Sequence, residues 1–446
     1  MSHVHIKRQH VLDLLQQQQE SAEQLFSQLN VADQSYILDR LDLTQSVHLF
    51  KQVALPHQVM EFLSLSRQIE IAQQLDVNTL AKILDAMHSD DFIDVFKRLE
   101  ASLQQKLLQQ LSIQSLDELK QLAGYVEGSA GALMSANYVT LPMQLTMDEA
   151  LASLRQLAAD QDTLYLIYIV DDAKKLLGVI SLREIIQAEP QTTIAEKMQR
   201  DVIMGHVFDD QEIIAETLAY YDFIALPIVD DQQHLLGIVT YDDAIDILRD
   251  EATEDIFKSG AVAPLAEQSI KKAPIFQLYK SRVFWLVILV FGSLLSGFGI
   301  AHFEEIIEQH IVLVFFLPLL VGSGGNAGSQ SATLMVRALA TGDVEFKDWF
   351  YLIGRESLVA LCLGFTMAFA VSVLGYIRGD TMVALVLAIS MLGIVMMGCL
   401  IGMSLPFILK KLRFDPASAS APLVTSICDA TGVVVYLFVA SKLLFT

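Results

Sequence analysis

The sequence predicts a multidomain membrane protein: an α-helical N-terminal solenoid, a tandem α/β pair, a linking helix and a five-helix transmembrane domain. Three observations predict it. Apolar runs of about 20 residues, each long enough to cross ~30 Å of hydrocarbon, begin at Val283 and recur to the end of the chain. Charge divides at the same place: residues 281–446 hold ten acidic and nine basic side chains, which leaves 42 acidic and 21 basic, a net −21, to the first 280. In the middle of the chain, a strand–turn–strand pattern returns after 59 residues.

So acidic a surface repels nucleic acid and attracts cations, although a plainly solvated surface accounts for the charge as well. Cys362, Cys399 and Cys428 all lie in apolar segments and suggest no disulfide framework. The opening MSHVHIKRQH lacks the apolar core of a cleavable signal peptide. It reads as a disordered tail, with His3, His5 and His10 at most weak metal ligands.

The solenoid occupies residues 1–128. Stretches such as SYILDRL, QVMEFL, LAKILDAM and DFIDVFKRL repeat apolar residues every three or four positions, the amphipathic helix pattern. Each is two or three turns long and must pack on its neighbours, as in an α-solenoid. In MHSDDFIDVF, Asp90, Asp91 and Asp94 crowd one turn. A helix cap with an exposed face explains them, and so does a cation site shared with another domain.

The α/β pair occupies 129–250, with copies at 129–190 and 191–250. Residues 168–186 and 227–245 share eight identities in 19, including a Val-Asp-Asp turn and a Leu-Leu-Gly strand. A β-branched strand runs into an acidic turn, a second strand follows, and Ser181 or Thr240 then caps a helix. This duplication resembles a tandem pair of CBS domains. The resemblance implies that Ser/Thr-x-x-Asp at the end of the second strand holds an adenosine ribose. Here it reads Ser181-Leu-Arg-Glu184 and Thr240-Tyr-Asp-Asp243, with Glu184 departing from the usual Asp. Arg183, Glu184, Thr240 and Asp243 are therefore the expected contacts for ATP or another adenine nucleotide. A pair that merely folds and dimerises is the other reading.

Residues 251–280 form the link. Glu251, Glu254 and Asp255 fall at i, i+3, i+4, so a helix places three mutually repelling carboxylates on one face. An exposed acidic helix and a cation-neutralised one both fit.

The membrane domain, 281–446, contains segments at about 283–301, 311–340, 357–377, 382–409 and 419–445. Lys271, Lys272, Lys280, Arg282, Arg337, Lys347, Arg355, Lys410, Lys411 and Arg413 all fall on one side, against Arg378 and Lys442 on the other. The positive-inside rule places the N-terminal part in the cytoplasm and the C-terminus outside. In the second segment, Pro318 and Gly322, Gly324, Gly325 and Gly328 are expected to interrupt the helix, as backbone beside a water-filled cavity does. Close packing through small residues explains the glycines too, but not the amides Asn326 and Gln330. Gly325, Asn326 and Gln330 are the expected pore lining. In the fifth, Pro422, Thr425, Asp429 and Gly432 follow at i, i+3, i+7, i+10, one helix face. Pro422 is expected to free a carbonyl about a turn earlier. Carbonyl, hydroxyl and carboxylate oxygens suit Mg²⁺ or Ca²⁺. A carboxylate at mid-bilayer costs roughly 2.5 to 3.5 kcal/mol and marks function.

PLLVGSGGNAGSQSATLMVRALATGD in the second segment and DPASASAPLVTSICDATG entering the fifth resemble the MgtE family of magnesium channels, as does the order of domains along the whole chain. That resemblance implies a homodimer in the bacterial inner membrane with its pore on the dimer axis, and Asp429 of each subunit facing hydrated Mg²⁺. Family members often carry Asn before the proline. Ala421 stands here, which shifts the burden to Asp429 and backbone. It also implies closure by intracellular Mg²⁺ binding to acidic side chains, for which Asp91, Asp94, Asp242, Asp246, Glu251, Glu254, Asp255 and Asp415 are the candidates. No enzymatic chemistry is expected. A coupled transporter or exporter of Mg²⁺, Mn²⁺ or Co²⁺, with Glu356 as a second membrane carboxylate, and a membrane-anchored nucleotide sensor are the alternatives.

Overall fold

The structure, a computed structural model, describes residues 3–17, 21–157, 164–264, 270 and 273–444. Lys271 and Lys272, two of the residues behind the expected orientation, lie outside them. The chain forms two compact units, 1–249 and 250–446.

The first unit begins with a helix, His3–Gln16, where a disordered tail was expected. Val11, Leu12 and Leu15 explain it, since they bury in the solenoid core. Short helices follow as far as Ile113–Leu122, several opened by a side chain that accepts the amide of the third helical residue: Asn30, Asp42, Asp76 and Ser112. The far ends are stapled differently. Buried Gln34 donates to the carbonyls of Phe26 and Leu29, Gln68 to Met60 and Leu63, and Gln104 to Phe96. These amides give the carbonyls around those helix ends a further donor. Their spacing of 34 and 36 residues marks a solenoid repeat hidden by low sequence similarity.

The duplication is exact in topology. Strands β1 (Thr140–Leu141), β2 (Leu166–Val170) and β3 (Leu176–Ser181) form one sheet, β4 (Gly205–His206), β5 (Ala225–Val229) and β6 (Leu235–Thr240) the other. In each, the first pair is parallel and the second antiparallel. The copies join by reciprocal bonds, Leu176 N–H to Gln233 O and Leu235 N–H to Lys174 O, both 2.9 Å. The repeated identities are structural. Asp171 accepts the amides of Ala173 and Lys175, and Asp230 those of Gln232 and His234, which builds each acidic turn. A Cβ on Gly178 would meet Gln199 O at 2.8 Å, and one on Gly237 would meet Ser135 O at 2.8 Å.

The helix that leaves β6, Tyr241–Ser259, starts in the first unit and runs into the second, ending at Gly260 and Ala261, the latter with φ 54°. Among the described residues, five long apolar helices follow: TM1 Ile275–His302, TM2 Leu317–Ala340, TM3 Trp349–Arg378, TM4 Thr381–Lys411 and TM5 Ala421–Leu444. TM2 corrects the expected break. It runs unbroken through Gly322–Gly328, with Pro318 in its first turn, where the missing N–H costs nothing. The glycines serve packing instead. A Cβ on Gly398 or Gly402 of TM4 would collide with the carbonyl oxygens of Gly324 and Gly328. TM2 and TM4 thus touch backbone to backbone through small residues spaced by four.

Candidate functional site

TM2 and TM5 build a polar seam. Ser329 Oγ lies 3.2 Å from Thr425 Oγ1 and 3.4 Å from the carbonyl oxygen of Ala421. One turn deeper, a Cβ on Gly325 would meet Thr425 Cγ2 at 2.9 Å and Asp429 Oδ1 at 3.5 Å. Gly325 therefore admits Thr425 against the TM2 backbone, with the Asp429 carboxylate in contact range beside it. Asp429 is half-buried, and among the described residues it forms no ion pair and no hydrogen bond through its side chain. The structure thus brings Gly325, Thr425 and Asp429 together. Pro422 is the second residue of TM5, and the carbonyl a turn earlier belongs to the 3-10 turn Pro416–Ser418. The proline therefore frees no carbonyl inside a helix, because the helix has only just begun.

Asn326 and Gln330 occupy another stripe of TM2. Both are exposed on a membrane helix, with no hydrogen-bond partner among the described residues. Glu356 of TM3 accepts a hydrogen bond from buried Ser331 of TM2.

At the edge of the membrane domain, Asp415 caps the turn before TM5 through Ala417 N–H, 2.8 Å. Its other oxygen receives Lys258 Nζ at 2.6 Å, and the same ammonium lies 2.6 Å from Glu254. Burial acts to lower the Lys258 pKa, but the hydrogen bonds it donates to Asp415 and Glu254 outweigh it and keep the group charged. Burial, then the Asp415 charge, raises the Asp255 pKa. Lys258, which no sequence pattern marked, neutralises part of the acidic cluster across 157 residues.

In the first unit, Asp90 and Asp91 open the helix Ser89–Arg98, and Asp242 and Asp243 open Tyr241–Ser259. Both helix N-termini favour negative charge. Burial, then the Glu61 and Asp243 charges, raises the Asp91 pKa to about 7. Burial, then the Asp242 charge, raises Asp243 to about 6, against the opposing hydrogen bond from Thr240. Asp90 is raised as well, by burial first and then by Asp243 and Asp91. Asp94 instead faces Arg98 at 3.8 Å. Asp242 and Asp246 are exposed. Glu61 and His88, equally unmarked by any sequence pattern, lie against Asp91.

The raised carboxylates carry a sign. They hold protons in the folded state that the unfolded chain, titrating near 4, has already released. Stability is complete below pH 4 for these groups and declines as pH rises through 6 and 7. Without divalent cation, the melting temperature is expected to fall between about pH 4 and 7, and millimolar Mg²⁺ to flatten the slope. Differential scanning fluorimetry checks both.

A cavity of about 570 Å³ opens between the two copies of the repeat. Tyr165, Ser181 and Arg183 line it from the first copy, Asp222, Phe223 and Ile224 from the second. Glu184 is engaged nearby: its carboxylate receives Ser181 N–H and Oγ–H at 2.8 and 2.7 Å. Thr240 and Asp243 do not line this cavity. Thr240 Oγ1 lies 2.5 Å from both Asp242 and Asp243, with one proton to give.

Five membrane-length helices, an unneutralised carboxylate between two of them and a carboxylate-rich extramembrane unit define a multi-pass membrane protein that handles cations. Comparison with known proteins narrows the class. Residues 317–439 match the MgtE model, described as a divalent cation transporter, 29–128 the MgtE intracellular N domain, and 130–190 and 194–250 the CBS domain. The magnesium transporter MgtE of Thermus thermophilus is 40% identical over 79% of this chain and 78% of that protein. The magnesium transporter MgtE of Bacillus subtilis is 28% identical over 92% and 94%. The crystal structure of the soluble part of a magnesium transporter superposes with a TM-score of 0.50 at 32% identity, covering 56% of this chain and 99% of that one. The chain belongs to the MgtE family.

Proposed function

We propose that this protein transports Mg²⁺ across the cytoplasmic membrane as a homodimer. One observation carries the reading: Asp429 sits within a membrane helix with no protein cation beside it among the described residues. A charge left there needs a partner, and a passing divalent ion with its water is one. Mg²⁺ sheds water reluctantly, so Asp429 holds the hydrated ion, assisted by oxygens of Thr425 and the Pro422 region. Asn326 and Gln330 support the dimer, since two exposed amides on a membrane helix belong against another copy or in water rather than in lipid. The basic residues between the even connections support a cytoplasmic N-terminus and an external C-terminus.

Gating follows from the acidic clusters. Mg²⁺ binding to Asp91 and Asp243 in the first unit, and to Glu251, Glu254, Asp255 and Asp415 in the second, favours whichever state has the most neutralised carboxylates. We assign closure to that state. Asp94, Asp242 and Asp246 contribute to the surrounding field. The test is Mg²⁺ uptake into liposomes with and without proton or sodium gradients. Uptake driven by the Mg²⁺ gradient alone is expected. The Ser331–Glu356 contact favours the second reading, coupled transport, because it puts a second carboxylate within the membrane domain. A rate that follows the proton gradient would establish that reading instead.

The cavity at Arg183 is large enough for an adenine nucleotide, with Tyr165 and Phe223 as aromatic walls and Arg183 as the phosphate partner. Glu184 reaches the ribose only by loosening its hold on Ser181. Arg183→Ala is expected to weaken ATP binding by about tenfold or more, read by calorimetry on the full chain. Unchanged affinity would move the nucleotide elsewhere.

A further inference from the structure

We propose that Glu61, His88 and Asp91 form a site for a transition-metal divalent cation such as Zn²⁺, Mn²⁺ or Co²⁺, separate from the Mg²⁺ pathway. One donor atom from each lies within 4.8 Å of the others. Glu61 ends the helix Pro56–Glu61, His88 is the N-cap of Ser89–Arg98, and Asp91 sits in that helix's first turn. His88 Nδ1 and Glu61 Oε1 are 3.1 Å apart, the separation of two neighbouring ligands that each lie about 2.1 Å from one metal. The backbone N–H of His88 also donates to Glu61 Oε1, 2.8 Å, and fixes that carboxylate before any metal arrives.

An ordinary His–Glu ion pair does not account for the surroundings. The Glu61 side chain keeps 11% of its exposure, and the carboxylates of Asp91, Asp94 and Asp243 act on the same space. Among the described residues, His88 is the group that opposes them at Asp91. One imidazole is too little positive charge for that many carboxylates. A divalent ion supplies what is missing.

The donor set decides which ion. Mg²⁺ and Ca²⁺ take oxygen ligands, whereas a neutral imidazole with two carboxylates suits Zn²⁺, Mn²⁺ or Co²⁺. The inference does not rest on the membrane carboxylate, and it shares only Asp91 with the proposed Mg²⁺ gating residues; Glu61 and the His88 imidazole set it apart.

The test uses the full-length protein in detergent, stripped of metal and dialysed against micromolar Zn²⁺ in millimolar Mg²⁺. Elemental analysis is expected to find one more Zn²⁺ per chain in the wild type than in His88→Asn. Asparagine is a good N-cap, so this variant keeps the helix start and removes only the imidazole. Glu61→Gln is expected to weaken Zn²⁺ by about tenfold or more. Co²⁺ should give a visible spectrum in the wild type that His88→Asn lacks. Equal Zn²⁺ in the wild type and His88→Asn, or Zn²⁺ displaced by Mg²⁺ at equal concentration, would overturn the proposal. Matching melting curves of the metal-free proteins confirm that a lost Zn²⁺ is a lost site and not a lost fold.

Discussion

Asp429→Ala is expected to reduce Mg²⁺ uptake into liposomes to the level of protein-free vesicles. The seam between TM2 and TM5 holds hydroxyls and carbonyls, but Asp429 is the one carboxylate in TM5. Removing it takes away the charge that holds the hydrated ion, a loss of binding free energy. Each 1.4 kcal/mol of that loss is about a factor of ten in ion occupancy. Asp429→Asn keeps the shape and removes the charge, so it should fail nearly as badly. Asp429→Glu should retain part of the flux, limited by the space beside Gly325. The smaller side chain of Asp429→Ala leaves helix packing alone, so the variant should melt normally. Undiminished flux in the alanine variant would remove Asp429 from the conduction path.

Gly402→Leu is expected to abolish folding of the membrane domain. A Cβ at that position would overlap the carbonyl oxygen of Gly328, and Leu adds three further carbons. Overpacking a core with flexible neighbours costs about 1–3 kcal/mol. Here the obstacle is backbone, which has no rotamer to change, so TM2 and TM4 must separate. That separation also displaces Gly325 and Ser329 from TM5. Loss of a monodisperse peak in size-exclusion chromatography, and of cooperative melting, would report it. Gly354→Ala is the control: its Cβ would meet nothing within 4 Å, and its effect should be negligible.

Much of this architecture is legible from local pattern. Spans, amphipathic helices and the 59-residue duplication depend on composition and short-range period. TM5 shows the reach of such reasoning: Thr425 and Asp429 share a face because a helix has 3.6 residues per turn. TM2 shows its limit. Glycines weaken an isolated helix, so a break was the local expectation. TM4 reverses the sign, because contact with Gly398 and Gly402 needs those glycines and holds the helix continuous.

The sequence by itself determined where the membrane begins, which half carries the negative charge, that the α/β unit is doubled, and that one carboxylate stands in the last span. These are properties of neighbours along the chain. Tertiary structure alone decided that Lys258 would meet Asp415 and that Glu61 and His88 would meet Asp91. It also put Arg183, and not Thr240, on the cavity wall. Those pairings join residues far apart in the chain, and the solenoid and helix packing that bring them together depend on the shapes of many side chains at once, which no local period records.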